Sequence, residues 1–161
     1  MIDVKQLRDE VIRPVLKELG LHSDSAEQLL LGTVAQESKV GTYIKQLGKG
    51  PAVGIYQMEP ATHDDIWKHY LSYKPELAAK VRSFLIGDEP NASEMKGNLY
   101  YATAMARIHY SRKPGFLPKA DDVSGLAYYW KRFYNTNLGK GTEKEFRDNY
   151  NKYILPELVN G

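Results

Sequence analysis

SAEQLLLGTVAQESKVGTY, residues 25–43, is the stretch that decides the fold class. Ala26, Leu30, Thr33 and Val34 recur at helical spacing, and the face they mark continues to Glu37. Ser25 and Gln28 stand at capping-box spacing, which predicts a helix opening near Ser25 and closing at about Ser38. A carboxylate at the end of an apolar stripe loses hydration, and desolvation raises its pKa toward neutrality. The C-terminal end of a helix disfavours negative charge and pushes the same way. That is the condition a general acid needs. The bland alternative is a glutamate fraying into solvent, because charged residues usually sit at the surface.

The same reading extends outward. Val4, Leu7, Val11, Val15 and Leu16 predict a first helix over residues 3–19, closed by Gly20 and kinked or divided by Pro14. Gly41, Gly48, Gly50 and Gly54, with Pro51, predict a loop or short hairpin over residues 41–54. Pro60 suits the first position of a helix carrying Ile66, Trp67, Tyr70 and Leu71. Further helices are expected over residues 75–86, 94–111 and 122–134. A last one opens at Thr142, with Glu145 in capping-box spacing, and stops before Pro156. The chain shows no period-2 strand, internal repeat or low-complexity linker. The expectation is an all-α, mainly helical single domain over residues 1–161, with a loop-rich insertion after its second helix.

Composition narrows the function. A chain of 161 residues can bury a sizeable core, and 42% hydrophobic against 26% charged residues is the balance of a globular protein. A formal charge of +2 eases approach to a polyanion such as a cell wall but is no nucleic-acid footprint. The absence of cysteine excludes disulfide scaffolds and thiolate metal sites. The start, MIDVKQLRDEVI, carries charges and no apolar h-region, so no secretory signal is expected and synthesis in the cytoplasm is. No apolar run approaches membrane-spanning length, so no membrane insertion is expected.

Past the glycine-rich loop stands GIYQMEPAT, residues 54–62. A helix ending in Glu-Ser, a loop of about fifteen residues, then Gly-x-x-Gln-x-x-Pro-x-Thr resembles the soluble lytic transglycosylase family, in the superfamily that includes goose-type lysozymes. Gly54, Gln57, Pro60 and Thr62 match the family's Gly-Leu-Met-Gln-Ile-Met-Pro-x-Thr pattern. Two segments follow in the family's order: NLYYATAMARIHYSR, residues 98–112, and SGLAYYWKRFYN, residues 124–135, the latter similar to an Ala-Ala-Tyr-Asn segment. Trp130 stands where asparagine is usual, and the glycine after it is missing.

The resemblance implies a lysozyme-like fold and cleavage of the β-1,4 bond between N-acetylmuramic acid and N-acetylglucosamine in peptidoglycan. It implies Glu37 as the catalytic acid/base and Ser38, Tyr56, Gln57 and Tyr129 as substrate contacts, with no metal or organic cofactor. The loop also resembles phage-encoded members, which implies virion proteins as partners and work in a virion or at the host periplasm and cell wall. Two alternatives stay open: a hydrolytic lysozyme of the same fold, and a non-catalytic virion or wall-binding module.

Other residues compete with Glu37 for a role. Glu59 precedes Pro60 and reads either as a helix-terminus anion or as a second carboxylate that would favour hydrolysis. THDDIWKH, residues 62–69, invites a metal reading, but His63 and His69 are six apart and share no i, i+4 face; Asp64 and Asp65 fit as first-turn acids. GKGPAVG lacks the Gly-Lys-Ser/Thr ending and preceding strand of a phosphate loop. Twelve tyrosines are many for this length, and their rings suit sugar faces; Tyr56, Tyr100, Tyr101, Tyr128, Tyr129 and Tyr134 lie in or beside the family-like segments.

Overall fold

The computed structural model describes residues 1–136 and 139–159 and is all-α. Helix α1 runs in three registers: Val4–Gln6, a π segment Leu7–Ile12, and Arg13–Leu19. Helix α2 is Asp24–Ser38, α3 is Pro60–His69 and α4 is Pro75–Arg82. After a 3₁₀ turn at Ala92–Lys96 comes α5, Leu99–Ser111. Helix α6 is Val123–Trp130 with a π continuation Lys131–Asn135. Helix α7 opens at Glu143–Asn149, passes through a π segment Tyr150–Ile154 and finishes as Leu155–Val159.

Helix α2 is the centre. Every residue from Leu29 to Ala35 is buried, so this stretch is enclosed all round where the sequence suggests one face. The reason is its surroundings: α1, α5, α6 and α7 all pack on it. Phe146 of α7 lies where a Cβ at Gly32 would stand, so only glycine allows that approach. The core continues without interruption from Val4 to Ile154.

Several boundaries move, each for a local reason. Ser23 caps α2, accepting from the Ala26 N–H at 3.0 Å, so Ser25 lies inside the helix. The expected 94–111 helix breaks at Gly97, because Asn98 caps α5 by accepting from the Tyr101 N–H. Helix α4 ends at Arg82, short of residue 86. The last helix does not stop before Pro156, and Pro14 divides α1 only in register. In both places a π segment precedes the proline, and the residue before it, Arg13 or Leu155, donates to the carbonyl five residues back. The wider turn relieves the clash between the proline ring and the carbonyl four residues earlier. At Pro14 that carbonyl, Glu10 O, accepts instead from the Tyr100 hydroxyl at 3.2 Å.

The insertion after α2 holds only isolated antiparallel bridges among the described residues, Lys45 with Val53 and Val53 with Met58. Gly54 there has φ +82°, and a side chain would run into the Met95 carbonyl. Among the described residues no helix is long and apolar enough to cross a membrane.

Candidate functional site

A cleft of about 860 Å³ opens where the end of α2, the 43–59 loop, the end of α6 and the 139–141 rim meet. Glu37, in the last turn of α2, lines it. Its carboxyl makes no hydrogen bond or ion pair among the described residues. Burial pushes its pKa up from 4.5 to about 8.

The neighbours explain why no donor offsets that burial. Thr33, one turn before Glu37, gives its hydroxyl proton to Leu29 O at 2.7 Å, so it accepts from the Tyr110 hydroxyl at 2.8 Å. Tyr134 gives its proton to Tyr56 O at 2.6 Å. Burial, with the Glu37 charge adding to it, raises both phenols well above their ordinary pKa. Glu37 therefore stands beside two aromatic rings whose protons are committed elsewhere.

The turn after α2 is unusual. Lys39 and Val40 both have positive φ, 48° and 54°, ahead of Gly41. For a buried β-branched residue such as Val40 that conformation costs on the order of 1–3 kcal/mol. Ser38 holds the turn: its Oγ accepts from the Gly41 N–H at 2.9 Å and donates to Ile55 O at 2.6 Å. The bracket ties the end of α2 to the segment carrying Gln57.

The structure brings Glu37 and Gln57 into one cleft and leaves three expected contacts outside it. Gln57, with φ +49°, donates from Nε2 to Gly54 O at 2.9 Å, and its amide oxygen has no partner among the described residues. Ser38 is wholly buried behind the cleft and acts as the bracket just described. Tyr56 is also buried; its hydroxyl pairs with Thr103 Oγ1 at 2.9 Å. Tyr129 is buried too, its ring 4.6 Å from Phe133 and 5.7 Å from Tyr110, centroid to centroid. Two tyrosines line the cleft, Tyr43 and Tyr134; Tyr134, whose phenol feels the Glu37 charge, is followed by Asn135. The π segment delivers it there. Its signal is legible as the Tyr-Asn pair at 134–135, which Tyr129-Trp130 lacks.

His109 and Glu145 also line the cleft, and no sequence motif marks either as a site residue. Glu145 is occupied by its cap, accepting from the Thr142 hydroxyl at 3.2 Å. Glu59 caps α3 through its backbone and stands exposed on the rim of the same cleft. Lys131 braces the far rim, its Nζ donating to Asn135 Oδ1, Gly139 O and Gly141 O at 2.7–3.0 Å.

The THDDIWKH side chains are divided among separate partners. His63 is buried, with Nδ1 on Asp64 at 2.8 Å and Nε2 on the Tyr101 hydroxyl at 2.6 Å. Asp65 pairs with Arg112 at 2.7 Å. Among the described residues His22, Asp24 and Glu27 group closely enough for a metal, but Arg13 already holds both Glu27 oxygens, at 2.7 and 2.9 Å. A second cavity of about 630 Å³ lies beside Trp67, between α3 and α4. Its acids Asp64 and Glu89 are paired with His63 and Arg82, so it offers no free acid.

No protein-family model, curated protein or solved structure matches this chain.

Proposed function

We propose that this protein is a lytic transglycosylase that cleaves the β-1,4 bond between N-acetylmuramic acid and N-acetylglucosamine in peptidoglycan. The observation that carries the reading is Glu37: a carboxyl with no partner among the described residues, on a sugar-sized cleft, with a pKa raised to about 8 by burial. Protonated Glu37 gives its proton to the glycosidic oxygen as the C1–O bond breaks. The resulting carboxylate takes the proton of the muramoyl C6 hydroxyl, whose oxygen bonds to C1 and closes a 1,6-anhydro ring. No water is consumed, and Glu37 ends protonated. The substrate's own 2-acetamido group stabilises the oxocarbenium-like centre, which lets one carboxyl serve both steps. Gln57, which lines the cleft, orients the sugar.

A hydrolytic lysozyme is the second reading, favoured by one observation: Glu59 stands on the rim of the same cleft. A water held there would replace the C6 hydroxyl as nucleophile. The cell wall is the proposed place of work in either case, reached on a phage particle or through a lysis partner. Purified protein added to peptidoglycan should clear its turbidity. A suspension left unchanged by soluble, folded protein would remove both enzymatic readings.

A further inference from the structure

His109 sits near the end of α5, buried but lining the cleft, with its ring edge-on to Tyr134 at 5.0 Å. Its Nδ1 lies 3.1 Å from an Arg112 guanidinium nitrogen. A guanidinium has donors and no acceptor, so Nδ1 must accept and the imidazole proton must reside on Nε2. Arg112 is fixed in turn by Asp65 of α3, at 2.7 Å. Asp65, Arg112 and His109 thus form a chain running from the α3 surface to the cleft. At its end, Nε2 meets no partner among the described residues. It is not sealed off, as Arg112 Nε and Trp130 Nε1 are.

We infer that His109 is a further substrate-binding residue, a neutral imidazole whose Nε2–H donates to the amide carbonyl oxygen of an N-acetylated sugar. The inference rests on the reading of the cleft as a glycan site. Burial, with Arg112 and Lys113 nearby and only Asp65 opposing them, holds the imidazole pKa down to about 3. The ring therefore stays neutral where the enzyme works. With Nδ1 already accepting from Arg112, the ring has no free basic nitrogen, and recognition is what remains to it. An N–H with a fixed tautomer selects an acceptor. An amide carbonyl is only an acceptor, whereas the ammonium of a de-N-acetylated sugar is only a donor and would meet two cations besides.

The test uses 15N-histidine NMR of the wild-type protein, and titration of the Glu37→Gln protein with tetra-N-acetylchitotetraose and with its de-N-acetylated counterpart. In the free protein His109 should show the Nε2–H tautomer and no titration near neutral pH. The acetylated tetramer should bind in preference and shift the Nε2 resonance. Adding His109→Phe should weaken that binding by about fivefold to tenfold, the worth of one neutral hydrogen bond. His109→Gln should recover most of it, because its amide nitrogen reaches the same place. An Nδ1–H tautomer or an imidazolium would overturn the assignment without any ligand. Unchanged affinity in the Phe variant, with the tetramer still bound by the parent, would remove His109 alone. If the parent binds neither tetramer and wild-type protein leaves peptidoglycan intact, the glycan reading falls and this inference with it.

Discussion

The hydroxyl of Tyr134 donates to the backbone carbonyl of Tyr56 at 2.6 Å, joining the end of α6 to the loop that carries Gln57. The bond braces one wall of the cleft and uses the hydroxyl proton of Tyr134. Because Tyr110 is likewise committed to Thr33, the carboxyl of Glu37 has aromatic neighbours and no donor among the described residues. Burial raises its pKa and no donor among the described residues opposes it: a carboxylate with two or three donors would move the other way.

Replacing Glu37 by Gln keeps the shape of the side chain and removes the proton it transfers. Turnover of peptidoglycan should fall by at least about 10²–10⁴-fold, the range of general acid–base catalysis. Folding should hold or improve, since an ionisable group leaves a poorly hydrated site. Turbidity clearing by the variant at the parent rate would exclude Glu37 as the acid.

The pH dependence has a definite sign. Folding raises the Glu37 pKa from 4.5 to about 8, so the folded state binds the proton more tightly than the unfolded chain. Its stabilising contribution is complete below the unfolded value, declines as pH rises from 4.5 toward 8 and is gone above that. The slope is at most about 1.4 kcal/mol per pH unit. Urea denaturation across this window should find wild type losing ground to Glu37→Gln, with a constant gap at higher pH. Cleavage should also fall as pH passes about 8, where the proton is lost. A flat stability difference between the two proteins would contradict the raised pKa.

Two tyrosine variants separate the cleft from the core. Tyr134→Phe removes the bond to Tyr56 O and should lower kcat by about tenfold or more by loosening the Gln57 loop, while costing about 1 kcal/mol of stability. Tyr129→Phe removes a hydroxyl that makes no hydrogen bond among the described residues, and its rate should match wild type. Steady-state kinetics on both proteins decide it. A slow Tyr129 variant beside a fast Tyr134 variant would reverse the assignment.

The helical pattern was legible because apolar periodicity and caps are local; the Thr142–Glu145 cap stands where spacing put it. The position of Glu37 was legible for the same reason, at the end of a buried helix. What the sequence hid depends on register and partners. Two prolines read as a break and a stop, yet π segments carry the chain past both, and local propensity does not reveal them. A π segment also places Tyr134 on the cleft while Tyr129, five residues earlier, packs inside. Ser38 and Tyr56 neighbour Glu37 and Gln57 in sequence, but both are buried, with their hydroxyls held by Ile55 O and Thr103. His109 gave no signal, because its role depends on Arg112 and on Asp65 from another helix.

Lys39 offers a test of the strained turn. It is an exposed residue with φ 48°, so glycine should relieve about 1 kcal/mol of left-handed strain. The substitution also loses the Lys39 contact over the Tyr43 ring, at 5.9 Å, near the outer limit for such pairs and worth about 0.5 kcal/mol. Lys39→Gly should therefore be more stable by about 0.5 kcal/mol, the difference between these two effects. Chemical denaturation measures it. A loss of stability would mean that the turn is not strained at this residue.

The products of cleavage decide between ring closure and hydrolysis. Glu37 is the cleft carboxyl with a strongly raised pKa, and one acid/base suffices if the sugar supplies both the nucleophile and the acetamido group. Muropeptides released from peptidoglycan should then carry 1,6-anhydro ends and weigh one water less than hydrolytic products. Glu59 shares the cleft but caps α3 through its backbone and stands open to solvent, where its side chain is a favourable anion near the helix N-terminus. Glu59→Gln should keep most of the activity and leave the product spectrum unchanged. Reducing-end muropeptides from the wild type, together with an inactive Glu59→Gln protein, would make Glu59 the group that positions water and the protein a lysozyme.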